Sequence, residues 1–253
     1  MKVIVAPHKE EASDYVASSI AALMSTDRSV RIGLATGETM VSVYQELVQQ
    51  LTIRGQCGMG YVETFNLDEY WPIEPGHFGS FAQFMHRHLF SHVSPWIQRS
   101  HILRGDAPHP NVECGRFQSL LAERPLDAQL LGLGVNGHIG FNEPGTSFQS
   151  RTRKVMLSSS TKKRNAPQFP GEMPDYALTM GIADIMEAKA VILVVFGSQK
   201  QEVLTRAILG SVSEDCPASI LQTHPNVTIV ADKVAASGLS HEHENLSLTV
   251  TTL

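Results

Sequence analysis

The sequence predicts a single α/β domain built on a doubly wound, mainly parallel sheet with helices on both faces. Short apolar runs alternate with segments whose apolar residues recur at helical spacing, the pattern of strands joined by crossover helices. The chain has 253 residues, enough to bury a large core without disulfides or metals. Glycine-rich or acidic turns follow several of the strands, where doubly wound sheets gather their ligands along one edge.

The elements follow in order. Val-Ile-Val-Ala at 3–6 reads as the first strand, and 10–24 as a helix with apolar residues at helical spacing. The run 30–35 is the next strand, followed by a helix over 38–51, again with apolar residues at helical spacing. A strand at 62–66 precedes helices at 80–90 and 112–122, and 129–132 is again a strand. The stretch 162–174, rich in proline, glycine and charge, reads as a surface loop or lid. The apolar strand 190–196, a helix over 198–209 and a strand at 227–231 complete the pattern. From Ser237 the chain departs from it, with Glu242, Glu244 and three threonines. The expected division is a domain over 1–236 and a loosely attached tail over 237–253.

Bulk properties narrow the partners. A hydrophobic share of 42% and a charged share of 18% are those of an ordinary globular chain. A net charge of −5 offers no concentrated basic face for nucleic acid, so small molecules are the expected partners. Cys57, Cys114 and Cys216 are odd in number and lack the paired spacing of a zinc or redox site, which reads as free thiols in a reducing compartment. With neither a basic-then-apolar leader nor 18 consecutive apolar residues, the expectation is a cytoplasmic protein that does not engage a membrane.

Four clusters at strand ends carry chemistry. Gly33-Leu-Ala-Thr36-Gly37-Glu38-Thr39 leads into a helix, where backbone N–H groups and the positive end of the dipole suit a phosphate. An ordinary turn with Thr36 as N-cap fits the same residues. In Thr64-Phe-Asn-Leu-Asp68-Glu69-Tyr70, strand alternation sends the two acids to opposite sides, leaving one to face a cleft as a base for a carbon acid. Gly132, Gly134 and Gly137 match a dinucleotide fingerprint superficially, but Pro144 and Gly145 interrupt any helix and no acid lies about 20 residues on. That segment instead offers His138 as a general acid or base, with Glu143 to orient it. In Gly197-Ser-Gln-Lys200, a lysine in the first turn of a helix is unfavourable against the dipole unless it meets an anion. His86, His88, His241 and His243 have no comparable context.

Taken together, residues 33–39, 64–70, Ser80-Phe-Ala-Gln-Phe-Met-His86, Gly137-His-Ile-Gly-Phe-Asn-Glu-Pro144, Ala177-Leu-Thr-Met-Gly181 and 197–200 resemble the glucosamine-6-phosphate deaminase family in order and spacing. The resemblance runs from near residue 1 to about 235. It implies a Rossmann-like fold and conversion of an amino sugar phosphate to a ketose phosphate with release of ammonia, without metal or organic cofactor, in an enzyme grouped with hydrolases and isomerases. It implies that His138 opens the sugar ring with support from Glu143 and Asn136. Asp68 would carry the C2 proton to C1, and Thr36, Gly37, Thr39 and Lys200 would hold the phosphate.

The chain also departs from the family. Asn136 stands where some members have aspartate and others asparagine. Glu38 replaces a small residue in the phosphate loop, and the arginine that many members place in the lid to grip phosphate is missing from Asn165-Ala-Pro-Gln-Phe169. Lys162, Lys163 and Arg164 are the candidates to replace it. The end of the chain lacks the tyrosine-containing tail of the family's allosteric hexamers, so regulation by the N-acetylated sugar phosphate is not expected, and oligomeric state is left open. Competing readings are a galactosamine-6-phosphate deaminase, a 6-phosphogluconolactonase and a non-catalytic sugar-phosphate sensor. Lactonases continue the Gly-His turn as Ala-Ser-Leu-Phe-Pro, and sensors carry a helix-turn-helix segment where this sequence begins at a strand. Asp68, His138 and Glu143 together favour the deaminase.

Overall fold

A computed structural model describes residues 1–55, 60–94, 96–169, 171–239 and 249–253. Cys57, His241, Glu242, His243 and Glu244 lie outside the described residues. The large sheet contains β1 (Lys2–Ala6), β2 (Val30–Leu34), β3 (Val62–Asn66), β5 (Arg99–His101), β6 (Ala128–Gly132), β9 (Val191–Val195), β10 (Val227–Asp232) and β11 (Thr249–Thr252). Their order is β11-β1-β10-β9-β6-β2-β3-β5, and every pairing is parallel. Continuous apolar sequence in β9 and fully buried β2 suit strands covered on both faces.

The connections explain how both faces are covered. Helices α1 (Lys9–Met24) and α2 (Glu38–Arg54) lead from β1 to β2 and from β2 to β3, in one direction across the sheet. Helices α5 (Pro110–Ala122) and α8 (Gln201–Leu209) lead from β5 to β6 and from β9 to β10, in the other. Right-handed crossovers then put the two pairs on opposite faces. Phe117 of α5 packs edge-on against Phe65 of β3, with ring centroids 5.9 Å apart. The connection leaving β2 runs towards β3 and that leaving β6 runs towards β9, so the neighbouring pair β2/β6 is the topological switch point.

A smaller antiparallel sheet, ordered β4-β8-β7, stands beside the carboxyl edge of the large one and comprises β4 (Asp68–Trp71), β7 (Arg153–Met156) and β8 (Tyr176–Thr179). It covers its own cluster of buried residues, among them Tyr70, Phe141, Leu157, Phe169 and Met173. The remaining helices are short: α3 (Phe81–Met85), continued by a wider π turn over His86–Phe90 into α4 (Ser91–Val93), then α6 (Ser159–Asn165) and α7 (Ile182–Met186).

Three expectations need correction. The helix expected over 80–90 changes its winding at His86, because its hydrogen bonds lengthen into a π turn. The expected loop over 162–174 is helical through Asn165: the Ser158 hydroxyl accepts from the N–H of Thr161 and caps α6, and the first proline stands only at Pro167. The segment expected to be a loose tail supplies the edge strand β11, whose Thr-Val-Thr-Thr pairs with Lys2 to Val5 of β1.

Candidate active site

The loops leaving β2, β3, β6 and β9 meet at the switch point around a cleft of about 400 Å³. Thr36, Gly37, Thr39, Asp68, His138 and Lys200 all line it, together with Arg164 and Asn165 of α6. Asn136 and Glu143 lie behind His138: Asn136 accepts its backbone N–H, and Glu143 stands at ion-pair distance from its ring.

After β3 the chain turns at Leu67 into β4, and the two acids part. Glu69 points away from the cleft and accepts the backbone N–H groups of Tyr70 (2.8 Å), Phe81 (2.9 Å) and Ala82 (2.8 Å), tying β4 to the start of α3. Burial raises its pKa to about 7, against the pull of those three donors. Asp68 lines the cleft, is 6% exposed, and accepts no hydrogen bond from the described residues. Burial, and secondarily the charge of Glu69, raises its pKa to about 8. A carboxyl group in that state suits a base for a weak carbon acid near neutral pH.

The turn after β6 is built for close approach. The His138 ring lies against Gly134, where a Cβ atom would fall 2.4 Å from ring carbons. Gly137 has φ +94°, and a side chain there would also meet Cys216 Sγ at 2.7 Å. Gly134 N–H donates to the His138 carbonyl (2.9 Å), and Ala218 N–H donates to that of Gly137 (2.9 Å). Asn142 closes the turn by donating to the carbonyls of Ile139 and Met180, both at 2.9 Å. No helix follows Gly137, in keeping with the rejected dinucleotide reading.

Glu143 is the hub of the polar network. Its Oε2 accepts from Asn136 Nδ2 (2.6 Å) and lies 3.5 Å from His138 Nδ1, an ion-pair distance longer than a hydrogen bond. Its Oε1 accepts from the hydroxyls of Ser158 (2.9 Å) and Thr161 (2.6 Å). Burial works against the charge, yet His138, Thr161 and Asn136 together hold Glu143 well below the usual carboxylate range. Asn136 is held in turn: its Oδ1 accepts the His138 N–H (3.3 Å), and its carbonyl accepts from Arg206 of α8 (2.9 Å).

At the other end of the cleft the N-cap of α2 is Gly37, with φ +106° and no side-chain cap. The alternative of Thr36 as N-cap is therefore not realised, and Thr36 faces the cleft. Glu38 is exposed at the rim. Lys200 ends a 3-10 turn (Ser198–Lys200) and donates to the Leu133 carbonyl. Burial and then the neighbouring Arg164 lower its pKa to about 8. Of the three lid cations, Lys162 pairs with Asp175, and Arg164 is the one lining the cleft. Two cations and the N-terminus of α2 thus face one space, an arrangement an anion relieves. Sequence reasoning passed over Ser158, Thr161, Asn165 and Arg206; the only local signal among them is the Ser-x-x-Thr spacing, which reads first as a helix cap.

Comparison with known proteins adds a family. A family model described as glucosamine-6-phosphate isomerases/6-phosphogluconolactonase matches residues 7–230. The chain is 41% identical over 244 residues to a glucosamine-6-phosphate deaminase 2 of Bacillus subtilis (strain 168), covering 94% of this chain and 98% of that one. It is 42% identical over 242 residues to a glucosamine-6-phosphate deaminase of Geobacillus sp. (strain WCH70), covering 94% and 95%. A solved structure of a monomeric glucosamine-6-phosphate deaminase superposes with a TM-score of 0.87 at 37% identity, covering 94% of this chain and 100% of that one. A 6-phosphogluconolactonase from Trypanosoma brucei superposes with a TM-score of 0.71 at 19% identity, covering 94% and 98%, and shares the fold alone.

Proposed function

The chain belongs to the family of glucosamine-6-phosphate isomerases and 6-phosphogluconolactonases, and from that premise we propose that it is a glucosamine-6-phosphate deaminase. The observation that carries this reading is one cleft with a buried carboxylate unpartnered among the described residues, a carboxylate-backed imidazole, and two cations beside a helix N-terminus. Each meets one need of the reaction.

Ring opening moves a proton from the anomeric hydroxyl to the ring oxygen, and His138 is the carrier: its Nδ1 faces Glu143 at 3.5 Å, leaving Nε2 for the sugar. Asp68 then takes the C2 proton, and delivery of that proton to C1 converts the enolamine to an iminium at C2. Water adds at C2 as the C–N bond breaks, leaving a ketose phosphate and ammonia. The balance consumes one water, which is the sense in which an isomerase-like reaction is also a hydrolysis. The substrate ammonium, entering beside Asp68, favours the charged carboxylate that proton abstraction requires. Thr36, Gly37, Thr39, Lys200 and Arg164 hold the phosphate.

Ammonia release from glucosamine 6-phosphate, galactosamine 6-phosphate and their unphosphorylated forms, alongside hydrolysis of 6-phosphogluconolactone, tests the reading. Turnover of glucosamine 6-phosphate above its epimer is expected. Turnover of the lactone alone would overturn it.

A further inference from the structure

Helix α6 carries two sets of side chains with different targets. Ser158, its N-cap, and Thr161 on its buried side donate to Oε1 of Glu143, and these hydroxyls are two of the four polar groups around that carboxylate. Arg164, three residues after Thr161, faces the cleft beside Lys200. Asn165 donates to the Tyr70 hydroxyl at 2.8 Å, joining the same helix to β4 two residues beyond Asp68. Thr161 stands in the first turn of α6, where a hydroxyl ordinarily serves the helix start. Thr161 instead reaches out of the helix, across 18 residues of sequence, to Glu143.

We propose that α6 couples the phosphate end of the cleft to the His138–Glu143 pair, with Thr161 and Ser158 as positioning residues. Phosphate seated on Arg164 fixes α6, α6 fixes the carboxylate through the two hydroxyls, and the carboxylate fixes the imidazole. The inference rests on the deaminase reading for its substrate. It adds that phosphate contributes to turnover as well as to binding, so that an unphosphorylated amino sugar is penalised in kcat beyond its weaker affinity.

The test is a double-mutant cycle on glucosamine 6-phosphate, read as kcat and KM of ammonia release for the wild type, Arg164→Ala, Thr161→Val, Thr161→Ser and the double variant Arg164→Ala/Thr161→Val. Arg164→Ala is expected to lower kcat about tenfold while raising KM, the scale of one charge-assisted hydrogen bond. In the Thr161→Val background the same change should cost kcat no more than about twofold, and Thr161→Ser should restore kcat to within about twofold of the wild type. Independent, multiplying losses in kcat would overturn the coupling, as would an Arg164→Ala enzyme altered in KM alone. A wild type silent on glucosamine 6-phosphate would instead break the deaminase reading. The coupling then stands or falls by the imidazole NMR signal of His138, identified by its loss in His138→Gln. Inorganic phosphate should shift that signal in the wild type and leave it in place in Thr161→Val. No shift in the wild type, or the same shift in both, would overturn the proposal.

Discussion

The turn after β6 and the helix α6 face each other across Glu143 and are held in place by different means. The turn is fixed through its backbone: Gly134 and Gly137 admit contacts no side chain would allow, Asn142 closes the bend, and Ala218 pins it from outside. The seven-residue α6 exposes Lys163 and Arg164, and its ties to the site are side-chain bonds from Ser158, Thr161 and Asn165. On the proposed reading, His138 as proton carrier stands on the first and Arg164 as phosphate cation on the second. Proton transfer requires geometry held to a fraction of an ångström, whereas an ion pair tolerates looser placement.

The largest effect that sharpens this contrast belongs to Asp68. Asp68→Asn should lower kcat by about 10³-fold or more, since it removes the base and offers no substitute. It should also stabilise the protein at alkaline pH. The folded pKa of about 8 lies above the ordinary value of 3.8, so between those values the native state binds the extra proton and stability falls as pH rises. Thermal melts should show the variant level with the wild type near pH 4 and increasingly more stable towards pH 9. A variant no more stable at pH 9 than the wild type would mean that Asp68 ionises as an ordinary carboxylate.

His138→Gln comes next, with an expected loss of roughly 10²-fold on the cyclic sugar and much less on an open-chain analogue. Equal losses on both would remove the ring-opening role. At the phosphate end, Lys200→Ala should raise KM for the phosphorylated sugar by about tenfold and leave an unphosphorylated one nearly unchanged. Because both Asp68 and Lys200 titrate near pH 8, kcat/KM should be bell-shaped around that pH: it rises as the carboxyl ionises and falls as the ammonium is lost. Lys200→Arg keeps its charge at any working pH and should flatten the alkaline limb. An unchanged limb would assign it to another group.

The same contrast governs how much was legible in the sequence. The large sheet could be read because its strands are apolar runs and its helices keep their period, and doubly wound topology then brings Thr36, Asp68, His138 and Lys200 to one edge. The small sheet could not, because β7 is Arg-Lys-Val-Met with its side chains half exposed, and β8 was masked by its glycine and proline neighbours. β5 and β11 are short, mostly exposed edge strands without an apolar run. Within the site, the hydroxyls on Glu143 act across 15 and 18 residues, and serine and threonine near a helix start are first of all capping residues. Choosing Arg164 among three adjacent cations required the helix register and the pairing of Lys162 with Asp175.

The smallest effect is the sharpest probe of the turn. Arg206 is an exposed residue of α8 that donates at 2.9 Å to the carbonyl of Asn136, outside the cleft. If the turn holds itself through its glycines and Asn142, this bond is one support among several, and a solvent-accessible hydrogen bond is worth about 1 kcal/mol or less. Arg206→Gln should then cost no more than about threefold in kcat/KM and leave the pH profile in place. A loss of about 30-fold, with the acid limb displaced, would mean that the amide of Asn136 is aimed at Glu143 from α8. The fixed side of the site would then depend, as the lid side does, on side-chain bonds.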